Sequence, residues 1–145
     1  SFNMTKYNGN CLCSSVKFEV EGEPHVMAVC HCTICRSWSA SPVNGASLWK
    51  PENFNVTSGE ELLQNYSYSE GHKRTWCSKC GGHVFTDHTE TYGFIDVYAS
   101  VLNNFTFIPA LHLNYENTIL PMKDGLPKFK NFPEDFGGSG ETMDE

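Results

Sequence analysis

Apolar and polar residues alternate along much of this chain with the period of two that marks a strand with one buried face. Val16, Phe18 and Val20 interleave with Lys17, Glu19 and Glu21. Residues 26–29 form a short apolar run that leads into Cys30. Further strands are expected at 62–68, 73–76, 83–86, 93–99 and 110–115, divided by turn formers such as Glu21-Gly22-Glu23-Pro24, Lys50-Pro51-Glu52-Asn53 and Gly81-Gly82. Helix is expected only for a turn or two between Cys32 and Trp38 and around 51–54. The predicted fold class is mostly β with little helix.

A chain of 145 residues can bury one sizeable core. A single domain is expected over 7–136, preceded by an N-terminal extension over 1–6 with Met4 as the native start, and followed by a frayed tail over 137–145. The segment from Asp124 onward is rich in Gly, Pro and charge, and Leu126, Phe129, Phe132 and Phe136 are expected to pin it to the body as a surface wrap. No apolar run reaches eighteen residues and the N-terminus carries no signal-peptide pattern, so no membrane partner is expected.

The formal charge of -7 argues against nucleic acid as a partner. The densest basic grouping, Lys73, Arg74 and Lys79, is too small for a phosphate-binding stripe and reads as solvated charge.

The seven cysteines change the picture most. They fall in three tight clusters, Cys11-Leu12-Cys13, Cys30-His31-Cys32-Thr33-Ile34-Cys35 and Cys77-Ser78-Lys79-Cys80. Structural disulfides staple distant loops, whereas thiolates spaced as CxC and CxxC converge on one soft cation, so zinc is the expected cofactor. A closed structural zinc takes four ligands and an open one takes three plus an exchangeable position. Seven cysteines suit one site of each kind, hence two Zn2+ per chain. Loading both sites, with seven thiolates and two dications, would bring the net charge to about -10. The contiguous triple Cys30, Cys32, Cys35 then forms the open site, and Cys11, Cys13, Cys77 and Cys80 the closed one. A rival grouping stays open: Cys32/Cys35 with Cys77/Cys80 reads as a zinc ribbon and leaves Cys11, Cys13 and Cys30 without a role. Reduced thiolates without an export signal point to the cytoplasm.

The motifs Gly9-Asn10-Cys11-Leu12-Cys13, Cys30-His31-Cys32-Thr33-Ile34-Cys35-Arg36 and Trp76-Cys77-Ser78-Lys79-Cys80-Gly81 together resemble the three-part signature of the glutathione-dependent formaldehyde-activating enzyme and centromere protein V family. The similarity runs from about residue 7 to about residue 119. It implies a small zinc-binding fold of coiled antiparallel sheets, with Cys11, Cys13, Cys77 and Cys80 as the structural site and Cys30, Cys32 and Cys35 as the open one. It also implies carbon-sulfur bond chemistry on a small thiol such as glutathione and an aldehyde, forming S-hydroxymethylglutathione or cleaving it as a lyase. The basic extension of centromere protein V is missing here. The alternative function is a non-catalytic zinc domain that presents a β-sheet to a protein partner. Oligomeric state stays open.

Several residues invite assignments around the open site. His31 lies between two ligands, and its side chain is expected to point away from both sulfurs. Arg36 could neutralise thiolate charge or hold a substrate carboxylate, and Trp38 could form an apolar wall. His83, Asp87 and His88 could relay protons if their strand returns toward the second site. Asp96 with Tyr98, and His112 with Asn114, share strand faces and line either a cleft or the solvent face.

Overall fold

The computed structural model describes residues 5–145. Residues 1–4, and with them the expected start at Met4, lie outside the described residues. Among the described residues, ten strands in two sheets, of three and seven strands, are joined by one α-helix and short 3-10 turns. The chain divides into two compact units: 1–25 with 47–106, and 26–46 with 107–145.

In the first unit, β1 (Lys6–Asn10), β2 (Lys17–Glu21) and β5 (Phe54–Ser58) pair antiparallel, with β2 central. The alternation read from sequence is realised here: Val16, Phe18 and Val20 are all at most 1% exposed. A second antiparallel run of the same unit is β6 (Leu63–Tyr66), β7 (Lys73–Cys77), β8 (His83–His88) and β9 (Phe94–Tyr98). Trp49, Cys11, Cys77, Val84, Ile95 and Val97 join β2 in one apolar core, packed by Tyr7, Phe54 and Phe105. Trp49 donates its indole N–H to Ser47 Oγ, which donates to the Val97 carbonyl, so the buried polar atoms of this core are satisfied in series.

In the second unit, β3 (Val26–Cys30) runs parallel to β10 (Leu111–Leu113), with Leu113 opposite Cys30. The helix α1 (Thr33–Ser39) follows at once. It ends at Ala40, which adopts a left-handed φ of 50° and donates its N–H to the Arg36 carbonyl. β4 (Asn44–Trp49) carries the chain from the second unit back into the first. Residues 137–145 are held by backbone contacts: Met143 N donates to Lys128 O, and Phe129 bridges Thr142.

β1, β4 and β5 are strands that periodicity did not indicate. β1 is Lys-Tyr-Asn-Gly-Asn and buries only Gly9, while β4 is built of small residues around Ala46 and Ser47, so neither carries an apolar alternation. Both are strands because their neighbours complete their hydrogen bonds.

Candidate metal centres

In the first unit two cysteine turns face one another. The first joins β1 to β2: Cys11 N donates to Val16 O, Ser14 N donates to Cys11 O, and Val16 N donates to Cys11 Sγ at 3.3 Å. Ser14 takes φ of 64°, a left-handed conformation that a non-glycine residue adopts at some cost and that bends the chain tightly enough to return into β2. The second turn closes β7: Gly81, at φ 77°, donates to the Cys77 carbonyl. A Cβ on Gly82 would stand 3.2 Å from Cys80 Sγ and 3.3 Å from Leu12 N, so a glycine there lets the two turns approach.

The four sulfurs of Cys11, Cys13, Cys77 and Cys80 lie within 4.8 Å of one another. Cys11 to Cys13 is 3.6 Å and Cys13 to Cys77 is 3.9 Å. A tetrahedron with Zn–S bonds of about 2.3 Å requires sulfur–sulfur edges of about 3.8 Å, whereas a disulfide requires about 2.05 Å. The donor set therefore fits a metal ion. Backbone N–H groups of Lys79 and Gly82 point at the Cys77 and Cys80 sulfurs. The Ser15 hydroxyl and N–H draw exposed Cys13 down to about 6, and the backbone at Cys13 and Gly82 draws Cys80 down, while burial pushes Cys11 up to about 11. Cys13 and Cys80 are thus drawn toward the thiolate form beside Cys11, whose proton a cation would displace.

In the second unit Cys30 ends β3 and Cys32 caps α1, its sulfur accepting the Cys35 N–H at 3.1 Å. The capping bond fixes Cys32 against Cys35, and Cys30 Sγ lies 3.8 Å from Cys35 Sγ. All three sulfurs fall within 4.8 Å of one another, and among the described residues no His, Asp or Glu joins them as a further ligand. The Cys30–Cys35 edge of this set has the length a metal needs. Cys30 is pushed well above the usual thiol range by the crowding sulfurs of Cys32 and Cys35 and by burial. Asn114 Nδ2 donates toward Cys30 Sγ at 3.6 Å from the end of β10. The ribbon grouping of Cys32/Cys35 with Cys77/Cys80 is not the one the fold makes: the sulfurs cluster as Cys11, Cys13, Cys77, Cys80 and as Cys30, Cys32, Cys35.

The remaining sequence candidates divide by unit. His31 is fully buried, and its ring bonds Thr118 and His112 rather than the sulfurs beside it. Burial holds His31 down to about 4. Arg36 and Trp38 lie on α1, and Arg36 Nε is buried without a hydrogen-bond partner among the described residues. His112 is fully buried rather than on a solvent face.

His83, Asp87 and His88 lie on β8 in the first unit. Asp87 Oδ1 accepts from Thr89 N and Oγ1, and His88 Nδ1 faces His72 Nδ1 at 2.7 Å. Asp96 on β9 accepts the Ser47 N–H, and burial raises it to about 7. Tyr98 meets Thr86 Oγ1 at 3.3 Å.

Thr118, Asp124 and Lys128, which join the His31 network, carried no signal in sequence, since none belongs to a motif or to a periodic segment. The surface wrap expected there to be pinned by Leu126 and three phenylalanines has Lys128 as its most buried side chain, 2% exposed.

The glutathione-dependent formaldehyde-activating enzyme family matches this chain over residues 6–117, a stretch that takes in all seven cysteines. The chain belongs to this family. It is 30% identical over 86 residues to an uncharacterized lyase of Schizosaccharomyces pombe, an alignment covering 59% of this chain and 61% of that protein. This chain thus spans less than two thirds of the curated relative. A crystal structure of a Rhodobacter sphaeroides protein shares the fold, with a TM-score of 0.58 at 22% identity over 68% of this chain and 90% of that one. No helix among the described residues is long and apolar enough to cross a membrane.

Proposed function

We propose that the protein is a zinc-dependent carbon-sulfur lyase or thiol-aldehyde adduct-forming enzyme, acting at Cys30, Cys32 and Cys35 on a small thiol such as glutathione and an aldehyde such as formaldehyde. The observation that carries this reading is the three-sulfur set without a fourth side-chain ligand, in a member of this family. Zinc bound there would supply an exchangeable position that stabilises a thiolate and so favours the nucleophilic form of the thiol. In the forward direction the sulfur adds to the aldehyde carbon and the thiol proton ends on the former carbonyl oxygen. The lyase direction is the reverse.

The chain's own groups have distinct parts in this reading. Asn114 donates toward Cys30 and offsets its negative charge once deprotonated. Arg36, one residue past Cys35 and with an unengaged Nε, is the candidate contact for a substrate carboxylate. His83, Asp87 and His88 are secondary candidates for proton transfer. Cys11, Cys13, Cys77 and Cys80 hold the structural zinc and take no part in the reaction. The proposed compartment is the cytoplasm.

Titration of the zinc-loaded protein with glutathione, by calorimetry in buffers of different ionisation enthalpy, tests the reading. Binding should release one proton per thiol and tighten as pH rises toward the thiol pKa of about 8.5. A chromogenic chelator in the same titration should find no released metal, and formaldehyde should then yield the S-hydroxymethyl adduct. Absence of thiol binding at millimolar concentration, with two zincs retained, would leave a non-catalytic zinc domain as the better account.

A further inference from the structure

His31 occupies the middle of Cys30-His31-Cys32, yet both of its ring nitrogens are engaged away from the sulfurs. Thr118 Oγ1 lies 2.8 Å from His31 Nδ1, and His112 Nδ1 lies 2.8 Å from His31 Nε2. On its far side His112 Nε2 lies 2.7 Å from Asp124 Oδ2. Both imidazoles are fully buried, whereas the Asp124 side chain is 34% exposed. The other carboxylate oxygen of Asp124 accepts from Lys128 Nζ at 2.6 Å and from Leu126 N at 3.0 Å. Lys128 also donates to Leu126 O and Glu145 Oε2. A chain of hydrogen bonds therefore runs from a partly exposed carboxylate to the peptide that carries two of the three sulfurs.

With both imidazoles uncharged, the direction of every bond follows from the first. An ionised carboxylate only accepts, so His112 carries its proton on Nε2 and presents Nδ1 as an acceptor. His31 must then carry its proton on Nε2 and accept the Thr118 hydroxyl at Nδ1. Thr118 Oγ1 in turn accepts the Leu120 N–H at 3.1 Å, which leaves its own proton free to face His31. No other arrangement of two neutral rings satisfies all of these atoms.

We propose that Asp124 is a positioning residue of the three-sulfur site, acting through His112 to set the tautomer and orientation of His31 and thereby the spacing of Cys30 and Cys32. This rests on the reading of Cys30, Cys32 and Cys35 as a metal site. His31 is clamped at both nitrogens, so the Cys30–Cys32 backbone cannot rotate without breaking a buried hydrogen bond. The clamp adds to the backbone tie from His31 N to Leu113 O, which fixes only one point of the same peptide.

The isosteric substitution Asp124→Asn gives the sharpest test. Its single oxygen is claimed by the Lys128 ammonium and the Leu126 N–H, so its amide N–H faces His112 Nε2 and the whole chain must reverse. Long-range 1H–15N spectra of the histidine rings should show His31 protonated on Nε2 in the wild type and on Nδ1 in Asp124→Asn. A merely structural role for Asp124 would not move the tautomer of a ring it does not touch. An unchanged His31 tautomer, or Nδ1 protonation in the wild type, would overturn the relay.

The positioning role is read by chelator competition for Zn2+, with the four-sulfur site as internal reference. His112→Phe and Asp124→Ala should each weaken the three-sulfur site about tenfold or more and leave the four-sulfur site unchanged. Unchanged affinity at the three-sulfur site in both variants would overturn it, and Asp124→Ala keeps this arm decisive if His112→Phe does not fold. A wild-type chain that holds a single zinc would overturn the metal reading and the positioning role together, while the tautomer spectra, which need no metal, separate that failure from failure of the relay.

Discussion

The two sulfur clusters are built from the same residue type and nearly the same spacing, yet they are held in opposite ways. In the first unit, two turns 64 residues apart in sequence meet, each anchored by one cysteine in the apolar core that holds Val16, Val84 and Trp49, while Cys13 is exposed. Cys11 and Cys77 belong to that core. In the second unit the three sulfurs come from one six-residue stretch, and their support is polar: a helix cap, an asparagine and a histidine relay. A cluster that joins distant segments closes a long loop and carries folding energy. A cluster contained in one turn closes almost nothing, so a metal bound there would come and go at little cost to the fold. On the proposed reading, position in the chain rather than ligand chemistry would separate a structural site from an exchangeable one.

The largest expected effect breaks the first half of this comparison. Cys77→Ser or Cys80→Ser should leave the chain unfolded or aggregated, because a structural zinc contributes on the order of 10 kcal/mol in small metal-dependent folds. Thermal unfolding and solubility measure it. A soluble variant with the wild-type melting temperature would mean that the four-sulfur cluster carries no folding energy.

The second prediction breaks the other half. Cys35→Ser should remain folded, keep one zinc and lose the other, with a melting temperature within a few degrees of wild type. Metal analysis and circular dichroism on the same sample check it. Two tightly held zincs, or a collapse as complete as that of Cys77→Ser, would erase the distinction between the clusters.

Two smaller effects sharpen the contrast between an apolar and a polar support. In the first unit, burial raises the Asp96 carboxyl to about 7, so the native state holds its proton more tightly than the unfolded chain, where the value is about 3.9. The sign follows: this preference favours the native state below about pH 4 and is lost as pH rises through about 7. Asp96→Asn should therefore raise the melting temperature at pH 8 and leave it nearly unchanged at pH 4, a gain on the order of a few kcal/mol at the higher pH. Equal effects at both pH values would show that Asp96 does not lose stability on ionising.

In the second unit, Ala40 ends α1 in a left-handed conformation that glycine adopts without strain. Ala40→Gly should stabilise by about 0.5–1 kcal/mol, measured by denaturant unfolding, and leave zinc content at two. A loss of stability would mean that unfolded-state entropy outweighs the strain.

Much of the fold was readable locally. The alternation of Val16, Phe18 and Val20 is a period-two pattern, β3 follows from a short apolar run, β6, β7, β8, β9 and β10 fall where strands were expected, and α1 falls where a short helix was expected. β1 and β4 were not readable, because their residues are mostly polar or small and their pairing is supplied by neighbours, whereas β5 alternates Phe54 and Val56 with Asn55 and Thr57 over too few residues to stand out beside the turn at 51–53. The relay was illegible for a related reason: a buried histidine and an exposed one are the same letter, and only packing distinguishes them.

Cysteine clusters able to hold metal ions were legible from sequence alone. Cysteine spacing is a local property, and CxC and CxxC turns present paired sulfurs whatever fold surrounds them. The sequence also determined the strand-rich character, since burial of one face imposes alternation on each segment separately. Only the tertiary structure decided which cysteine pairs share a cluster, for the ribbon and the four-plus-three grouping satisfy the same spacings and differ in which turns the sheets bring together. The tertiary structure likewise decided that Asp124, His112 and Thr118 serve His31. Hydrogen bonds between residues far apart in the chain leave no periodic trace, because their geometry depends on strand register and loop path rather than on the identity of the neighbours in sequence.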